Sequence, residues 1–118
     1  MTDLREAVLA YFRGVDGEDI ELIFGTLAVD CMFSVETHGV RLHGHADIRG
    51  MFDRLWSHHA AVRHDQFHFV DAGNGADIAV RFRVTNTLHD GSLVCKSNCN
   101  FFTSANGLFT EVRVYMAG

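Results

Sequence analysis

Acid–base chemistry in this sequence centres on Asp16, which lies in a short polar turn at residues 15–19. Before the turn, apolar residues recur at three- and four-residue steps, a period that predicts one face of an amphipathic helix. The same steps resume after it, and Gly17 suits the point where one helix ends and the next begins. Asp16 is therefore a carboxylate at the end of a helix, where it could either cap the following helix or serve a site.

Histidine, cysteine and glycine patterns for other kinds of chemistry are weak. The best histidine pairs are His43 with His45 and His58 with His59, but the sequence has no His-Glu-x-x-His segment and no second carboxylate at ligand spacing. No cysteine has an obvious base beside it in the sequence, and the glycines form no phosphate-cradling pattern. We therefore expect no metal and no other cofactor.

The order of predicted elements indicates an α+β fold. Asp3 followed by Glu6 is a capping box that begins the first helix. The predicted helices lie at about residues 3–15, 19–28 and 44–59. The predicted strands lie at about residues 31–36, 40–43, 62–72, 78–85, 93–104 and 108–116. Asp90-Gly91 and Asn106-Gly107 are strong hairpin turns. We expect three helices on one face of a curved, mainly antiparallel sheet, in one domain over residues 1–118.

Charge and composition argue against several kinds of partner. Fifteen acidic residues against ten basic ones give a net charge of -5, and an acidic surface argues against nucleic acid. No apolar stretch approaches the length of a membrane span, and charged residues interrupt the first positions, where a secretory leader would be apolar. The three cysteines, Cys31, Cys95 and Cys99, are odd in number and unpatterned, as is typical of a reducing compartment. The sequence therefore predicts a cytoplasmic protein that binds neither nucleic acid nor membrane.

Several short segments, in this order and spacing, resemble the nuclear-transport-factor-2-like superfamily, to which the SnoaL-like domains belong. The matching residues are Tyr11-Phe12, the segment 16–20, the segment 27–30, and Gly44 followed by Ile48. The resemblance covers nearly the whole chain and implies a cone-shaped, cystatin-like roll with three helices on the sheet. This fold hosts isomerases, dehydratases, cyclases, hydrolases and inert binding modules, so the fold alone leaves the function open.

One branch of that superfamily is similar to this chain at two further positions. In the branch of scytalone dehydratase and hexachlorocyclohexane dehydrochlorinase, an Asp ends the first helix and a His begins the long strand after the third helix. Asp16 and His64 stand at those positions. The resemblance implies that His64 is a general base and that Asp16 orients it. A carboxylate fixes the tautomer of a neutral imidazole and raises its basicity, which suits proton abstraction from carbon.

The ketosteroid isomerase branch is a more distant match. Tyr11 corresponds to the phenolic donor of that branch and is implied to be a third catalytic residue. The general base of the branch is missing, because Val35 stands at its place, and its acidic donor would fall near Cys99. The tyrosine pair of the dehydratase is also replaced, by Val15 and Val35. The resemblance therefore implies the pocket of these enzymes without copying either mechanism.

Between helices and sheet we expect a cavity that binds a small apolar ligand. Its predicted lining, besides Tyr11, consists of Phe12, Phe24, Val35, Phe52, Trp56, Phe82, Cys99 and Phe101. On the strand at 93–104, one alternating set points inward, either Ser97, Cys99 and Phe101 or Asn98, Asn100 and Phe102. Similarity to the isomerase branch favours the first set, and an Asn in the dehydratase pocket favours the second.

The sequence predicts a small lyase or isomerase that abstracts a proton from an apolar cyclic or aromatic carbonyl or hydroxyl compound. Two alternatives stay open: a non-catalytic ligand-binding module of the same fold, and a β-type subunit of a ring-hydroxylating oxygenase. Helices on only one face leave the other face of the sheet uncovered, so we expect a homodimer that packs sheet to sheet.

Overall fold

A computed structural model describes residues 3–117, which form three α-helices and six strands. In chain order the elements are α1 (Leu4–Asp16), α2 (Ile20–Phe24), β1 (Leu27–Val35), a 3-10 turn (Glu36–His38), β2 (Val40–His43), α3 (Gly44–His58), β3 (Ala61–Asp71), β4 (Asp77–Thr87), β5 (Leu93–Ala105) and β6 (Leu108–Tyr115). This order confirms the predicted α+β class. None of the helices within residues 3–117 is long and apolar enough to cross a membrane.

All six strands form one sheet in the order β2-β1-β6-β5-β4-β3. The hairpin-linked strands β3 to β6 are antiparallel to one another, as predicted, and β2 pairs antiparallel with β1. The one parallel pairing, between β1 and β6, joins the two halves of the sheet. Register shifts leave extra residues in β1, β3 and β6, and such bulges bend a strand and increase its twist. The sheet is therefore curved and mainly antiparallel, as expected.

The second helix is shorter than predicted, because the chain enters β1 earlier. The sequence period favours helix to about residue 28, but α2 ends at Phe24 and Gly25 caps it. Leu27 is fully buried and pairs with Phe109 of β6. This long-range pairing outweighs the local helical period, as tertiary contacts commonly do.

The hydrophobic core lies between the helices and the inner face of the sheet. Val8 and Phe12 of α1, Ile48 and Phe52 of α3, and Val80 of the sheet belong to it. A Cβ atom on Gly14 would lie 2.6 Å from Cγ1 of Ile23, so α1 and α2 approach too closely for any larger residue. This approach fixes the last turn of α1, which ends at Asp16.

Candidate active site

Asp16 and His64 are in direct contact, although 48 residues separate them in the chain. Oδ1 of Asp16 lies 2.5 Å from Nδ1 of His64, and Oδ2 accepts a hydrogen bond of 2.8 Å from the backbone N–H of His64. One carboxylate thus holds both the ring and the backbone of the same residue. A carboxylate accepts here, so Nδ1 of a neutral imidazole carries the proton and Nε2 carries the lone pair.

The capping role considered for Asp16 is filled by another residue. Asp19 is the N-cap of α2, and its Oδ1 accepts a hydrogen bond of 3.1 Å from the backbone N–H of Leu22. Indole Nε1 of Trp56, on α3, donates to the carbonyl oxygen of Val15 over 2.9 Å. That bond joins the end of α1 to α3. The carboxylate of Asp16 binds His64 and does not cap α2. The interpretation of Asp16 as the cap of α2 is therefore wrong.

The His64 ring stands between the cavity and an outer cleft. Phe12 and Phe82 flank it, with ring centroids 4.7 and 5.3 Å away. His64 lines both spaces, whereas Asp16 lines only the outer cleft, beside Arg13. Only 10% of the His64 side chain is accessible, against 26% for Asp16. Asp16 occupies Nδ1, and no residue within 3–117 hydrogen-bonds Nε2.

The cavity between helices and sheet has a volume of about 230 Å³ and mostly apolar walls. Its lining is Tyr11, Phe12, Val15, Phe33, Val35, Met51, Phe52, Leu55, Val62, His64, Phe82, Val84, Asn86, Lys96, Asn98, Asn100, Val114 and Met116. Apolar walls with a few polar groups are typical of small-molecule sites.

Asn100 and Tyr11, which both line the cavity, each have a polar group without a hydrogen-bond partner within residues 3–117. The side chain of Asn100 is only 2% exposed, and its Oδ1 is fully buried without a partner. The hydroxyl of Tyr11 makes no hydrogen bond with the described residues either, and its ring packs edge-on against Phe102 and Phe52. Burial, and then the nearby Cys31 and Asp16, raise the pKa of Tyr11, so its hydroxyl stays protonated and able to donate. A buried polar group without a partner is costly, which favours a ligand that satisfies it.

Five of the predicted lining residues do line the cavity, namely Tyr11, Phe12, Val35, Phe52 and Phe82. Two others lie outside it. Trp56 stacks behind Phe52, with ring centroids 5.6 Å apart. Phe24 lies against the imidazole of His45, with centroids 4.0 Å apart, and the guanidinium of Arg49 covers its ring. The expectation that Phe24 and Trp56 form walls of the cavity is therefore wrong.

Cys99 and Phe101 lie on the opposite face of the sheet from the cavity, contrary to the favoured prediction. Phe101 is 50% exposed and contacts Tyr115 on the outer face. The reason is the hairpin between β4 and β5. A two-residue turn at Asp90-Gly91 would pair Phe82 with Cys99, but a five-residue loop pairs Phe82 with Asn98. A register shift of one residue exchanges the two faces of a strand.

The inward set is therefore Asn98, Asn100 and Phe102, the alternative that the sequence left open. Sequence analysis missed two further polar residues of the cavity, Asn86 and Lys96. The alternation of β4, with Phe82 and Val84 inward, could have found Asn86, whereas Lys96 required the register of β4 with β5. Within residues 3–117, His, Cys, Asp and Glu side chains do not group in threes that could hold a metal ion.

Comparisons with known proteins agree with this fold. A family model described as SnoaL-like domain matches residues 8–112. A solved structure of a candidate polyketide cyclase from Xanthomonas campestris pv. campestris superposes with a TM-score of 0.87 at 18% identity, over 94% of this chain and 87% of that one. TerC, co-crystallized with polyporic acid, gives 0.83 at 20% identity, over 94% and 88%. No curated protein matches the sequence.

A third solved structure is a protein with a ketosteroid-isomerase-like fold from Catenulispora acidiphila, in complex with trimethylamine. Its TM-score is 0.82 at 14% identity, over 93% of this chain and 84% of that one. At these identities the likeness shows a shared fold.

Proposed function

The chain belongs to the SnoaL-like domain family of the nuclear-transport-factor-2-like superfamily, and from this premise we propose that it is a small lyase or isomerase. Its substrate is a mainly apolar cyclic or aromatic compound that carries a carbonyl or hydroxyl group. The observation that carries the proposal is the Asp16–His64 contact, which leaves the Nε2 lone pair of His64 beside an apolar cavity.

In the proposed reaction, Nε2 of His64 removes a proton from a carbon next to the substrate's carbonyl group. The electron pair of that C–H bond moves into a new C=C bond, and the carbonyl oxygen becomes an enolate oxygen. The carboxylate of Asp16 stabilises the imidazolium that forms, as the carboxylate of a catalytic triad does. The same imidazolium then returns the proton.

The site to which the proton returns decides the outcome. In a substrate with a C=C bond next to that carbon, the anion is a dienolate, and return of the proton to its γ-carbon moves the double bond and isomerises the substrate. Return to a β-hydroxyl group releases water as the C–O bond breaks, which makes the reaction a dehydration.

Tyr11 and Asn100 are the proposed donors to the enolate oxygen. Both line the cavity, where the Tyr11 hydroxyl makes no hydrogen bond within residues 3–117 and Oδ1 of Asn100 is buried without a partner. The Tyr11 hydroxyl and the amide nitrogen of Asn100 can each donate one hydrogen bond. Donors held in place before the reaction stabilise charge that develops in the transition state, and each is typically worth a factor of 10²–10³ in rate.

The test is hydrogen–deuterium exchange at carbon, followed by proton NMR in D2O with a panel of cyclic and aromatic ketones such as 2-indanone. The wild-type protein is expected to speed the loss of the α-proton signal. His64→Gln is expected to abolish this effect, and Asp16→Asn to reduce it by about 10³–10⁴-fold, since the amide favours the wrong tautomer.

A matched control is His68→Gln, which removes an exposed histidine from the same strand. We expect it to exchange like the wild type. If no ketone of the panel exchanges faster with the wild type than with His64→Gln, the proposed reaction is contradicted. Ligands that bind the wild type without exchange would then favour the alternative, a non-catalytic binding module.

We also propose that the protein is a homodimer that pairs through the outer face of the sheet. Phe101 and Tyr115 on that face contact each other and are 50% and 43% exposed. They border a groove of about 450 Å³ that also includes Asp77 and Arg113. A surface that carries apolar groups and both signs of charge suits a two-fold contact, in which the same patch meets itself.

A further inference from the structure

Strand β3 contains a bulge directly after the residues that form the proposed site. The pairing of β3 with β4 shifts between Asp65 and His68. Gln66 and Phe67 therefore stand together opposite Phe82 of β4. Gln66 has a φ of 56°, in the left-handed region that non-glycine residues seldom adopt, and its side chain is exposed. Bulges change the direction in which the side chains of a strand point, and they are frequent beside active sites.

The bulge decides which side chain lies next to the proposed base. In a regular strand the next inward residue after His64 would be Gln66, because side chains alternate. With the extra residue, the Phe67 ring packs inward, with its centroid 5.2 Å from that of Phe12 and 6.3 Å from that of Phe82. An apolar ring thus occupies the place at which regular alternation would put an amide.

Phe67 borders the outer cleft and not the cavity. The cleft has a volume of about 420 Å³ and is lined by Leu9, Phe12, Arg13, Asp16, Gly17, His64 and Phe67. Phe67 does not belong to the lining of the cavity in which the substrate is proposed to bind. A substitution at Phe67 therefore leaves the lining of that cavity in place, which separates its role from substrate binding.

Phe12 connects the Phe67 ring to the imidazole. Its ring centroid lies 4.7 Å from that of His64 and 5.2 Å from that of Phe67, so it packs between the two. Phe12 is only 3% exposed, whereas 26% of the Asp16 side chain is accessible, from the outer cleft. Loss of the Phe67 ring would free Phe12 on one side and widen the cleft beside Asp16. Water that reaches this carboxylate competes for its hydrogen bond with Nδ1.

We propose that Phe67 is a positioning residue for the reaction at His64. Its ring supports Phe12 against the imidazole and limits the access of water to the Asp16–His64 pair. The inference rests on the proposed function for the reaction itself, and it adds a residue that touches neither the substrate nor the reacting atoms. Such a residue acts through geometry, because a displacement of about 1 Å in a positioned group can lower a rate about 10²-fold.

The first test compares Phe67→Ala with Phe69→Ala, using the ketone of the panel that exchanges fastest. Both residues are partly buried phenylalanines of β3 with stacked rings, but Phe69 borders neither the cavity nor the outer cleft. Phe67→Ala is expected to lower kcat for deuterium exchange about 10²-fold and to change KM less than about threefold. Phe69→Ala is expected to keep the kcat of the wild type. Phe67→Leu, which keeps an apolar side chain at the site, is expected to recover most of the lost kcat.

A second measurement follows the pair without any substrate. Proton NMR in water detects the Nδ1–H of His64, with the signal assigned by its absence in His64→Gln. Phe67→Ala is expected to speed the exchange of this proton with water at least about tenfold, because the hydrogen bond opens more often. Phe69→Ala is expected to leave the exchange rate unchanged. If no ketone exchanges, the proposed function fails, whereas this signal still decides whether Phe67 positions His64.

Gln66→Gly is a control for the bulge, since glycine adopts the left-handed φ without strain. It is expected to keep both kcat and the Nδ1–H exchange rate of the wild type, and a loss of either would assign the effect to the Gln66 side chain. That result would overturn the proposal. Equal losses of kcat in Phe67→Ala and Phe69→Ala, or the same Nδ1–H exchange rate in Phe67→Ala and the wild type, would overturn it as well.

Discussion

At the scale of single residues, the carboxylate of Asp16 fixes three properties of His64 in one contact. Its two oxygens hold the ring and the backbone N–H, and its charge favours a proton on Nδ1. The lone pair is consequently left on Nε2. Phe12 and Phe82 restrict the ring from its sides. A base must be positioned before its basicity matters, and these contacts supply the position.

Tyr11 is the other residue whose chemistry depends on burial. Because its pKa is raised, the folded protein binds the Tyr11 proton more tightly than the unfolded chain does. Stability from this group is complete below about pH 10, the ordinary pKa of tyrosine, and is lost as the pH rises above it. Cys31 also contributes stability that is lost at high pH, above the ordinary pKa of cysteine, since burial raises its pKa to about 12.

Tyr11→Phe is therefore expected to weaken the fall of stability above pH 10. At pH 7 it is expected to change stability by less than about 1 kcal/mol, because the lost hydroxyl has no partner within residues 3–117. Deuterium exchange is expected to fall by about 10²-fold. Urea unfolding at pH 7 and pH 10.5 checks the first two results, and an unchanged slope with pH would contradict them.

At the scale of elements, the site depends on how closely α1 meets α2. The carbonyl oxygen of Gly14 accepts a hydrogen bond of 2.8 Å from the backbone N–H of Asp19. This bond closes the turn between the helices directly after Asp16. Asp19 then begins α2 as its N-cap. The direction of the Asp16 side chain is thus set by backbone contacts on both sides of it.

Gly14→Ala is expected to destabilise the protein by about 1–3 kcal/mol, because the new methyl group would overlap Ile23. Urea denaturation measures the change in the free energy of unfolding. The matched control is Gly25→Ala, where a Cβ would meet its nearest atoms at 3.4 Å and φ is -64°. Equal destabilisation by the two substitutions would show that the close approach of α1 and α2 is unimportant.

Elements were predictable from sequence where local signals and tertiary contacts agree. The period of α1 and the alternation of β4 are both confirmed. The end of α2 and the inward face of β5 were not predictable in this way. The first depends on the pairing of Leu27 with Phe109, and the second on a loop longer than its Asp-Gly turn suggests. Long-range register decides both cases.

The candidate site was likewise predictable only in part from the sequence. The resemblance placed Asp16 and His64 correctly with respect to each other, because the end of α1 and the start of β3 are fixed features of the fold. Lys96 was missed, since a lysine in a strand is typical of a solvent-exposed position. Its place in the cavity depends on the same register as Asn98 and Asn100.

At the scale of the whole molecule, the sheet separates two surfaces of different character. Its inner face carries the cavity, and its outer face carries the exposed pair Phe101 and Tyr115. A homodimer through the outer face would leave both cavities accessible. A β-type oxygenase subunit would instead require a different partner chain.

Phe101→Glu is expected to convert the proposed dimer into a monomer, because a charge at the centre of the contact would be buried in it. Light scattering is expected to give twice the chain mass of 13.2 kDa for the wild type and 13.2 kDa for the variant. Val40→Glu is a matched control, since Val40 is another exposed apolar residue, on the edge strand β2. A monomeric wild type at micromolar concentration would contradict the proposed dimer.

The proposed reaction requires that Asp16 holds His64 with its proton on Nδ1 and its lone pair on Nε2, facing the cavity. Long-range ¹H–¹⁵N NMR of ¹⁵N-histidine-labelled protein tests it most directly, with the His64 signal assigned by its absence in His64→Gln. At pH 8 we expect an unprotonated Nε2 in the wild type and a shift toward the Nε2–H tautomer in Asp16→Asn. An Nε2–H tautomer in the wild type, or identical His64 signals in both proteins, would contradict this arrangement.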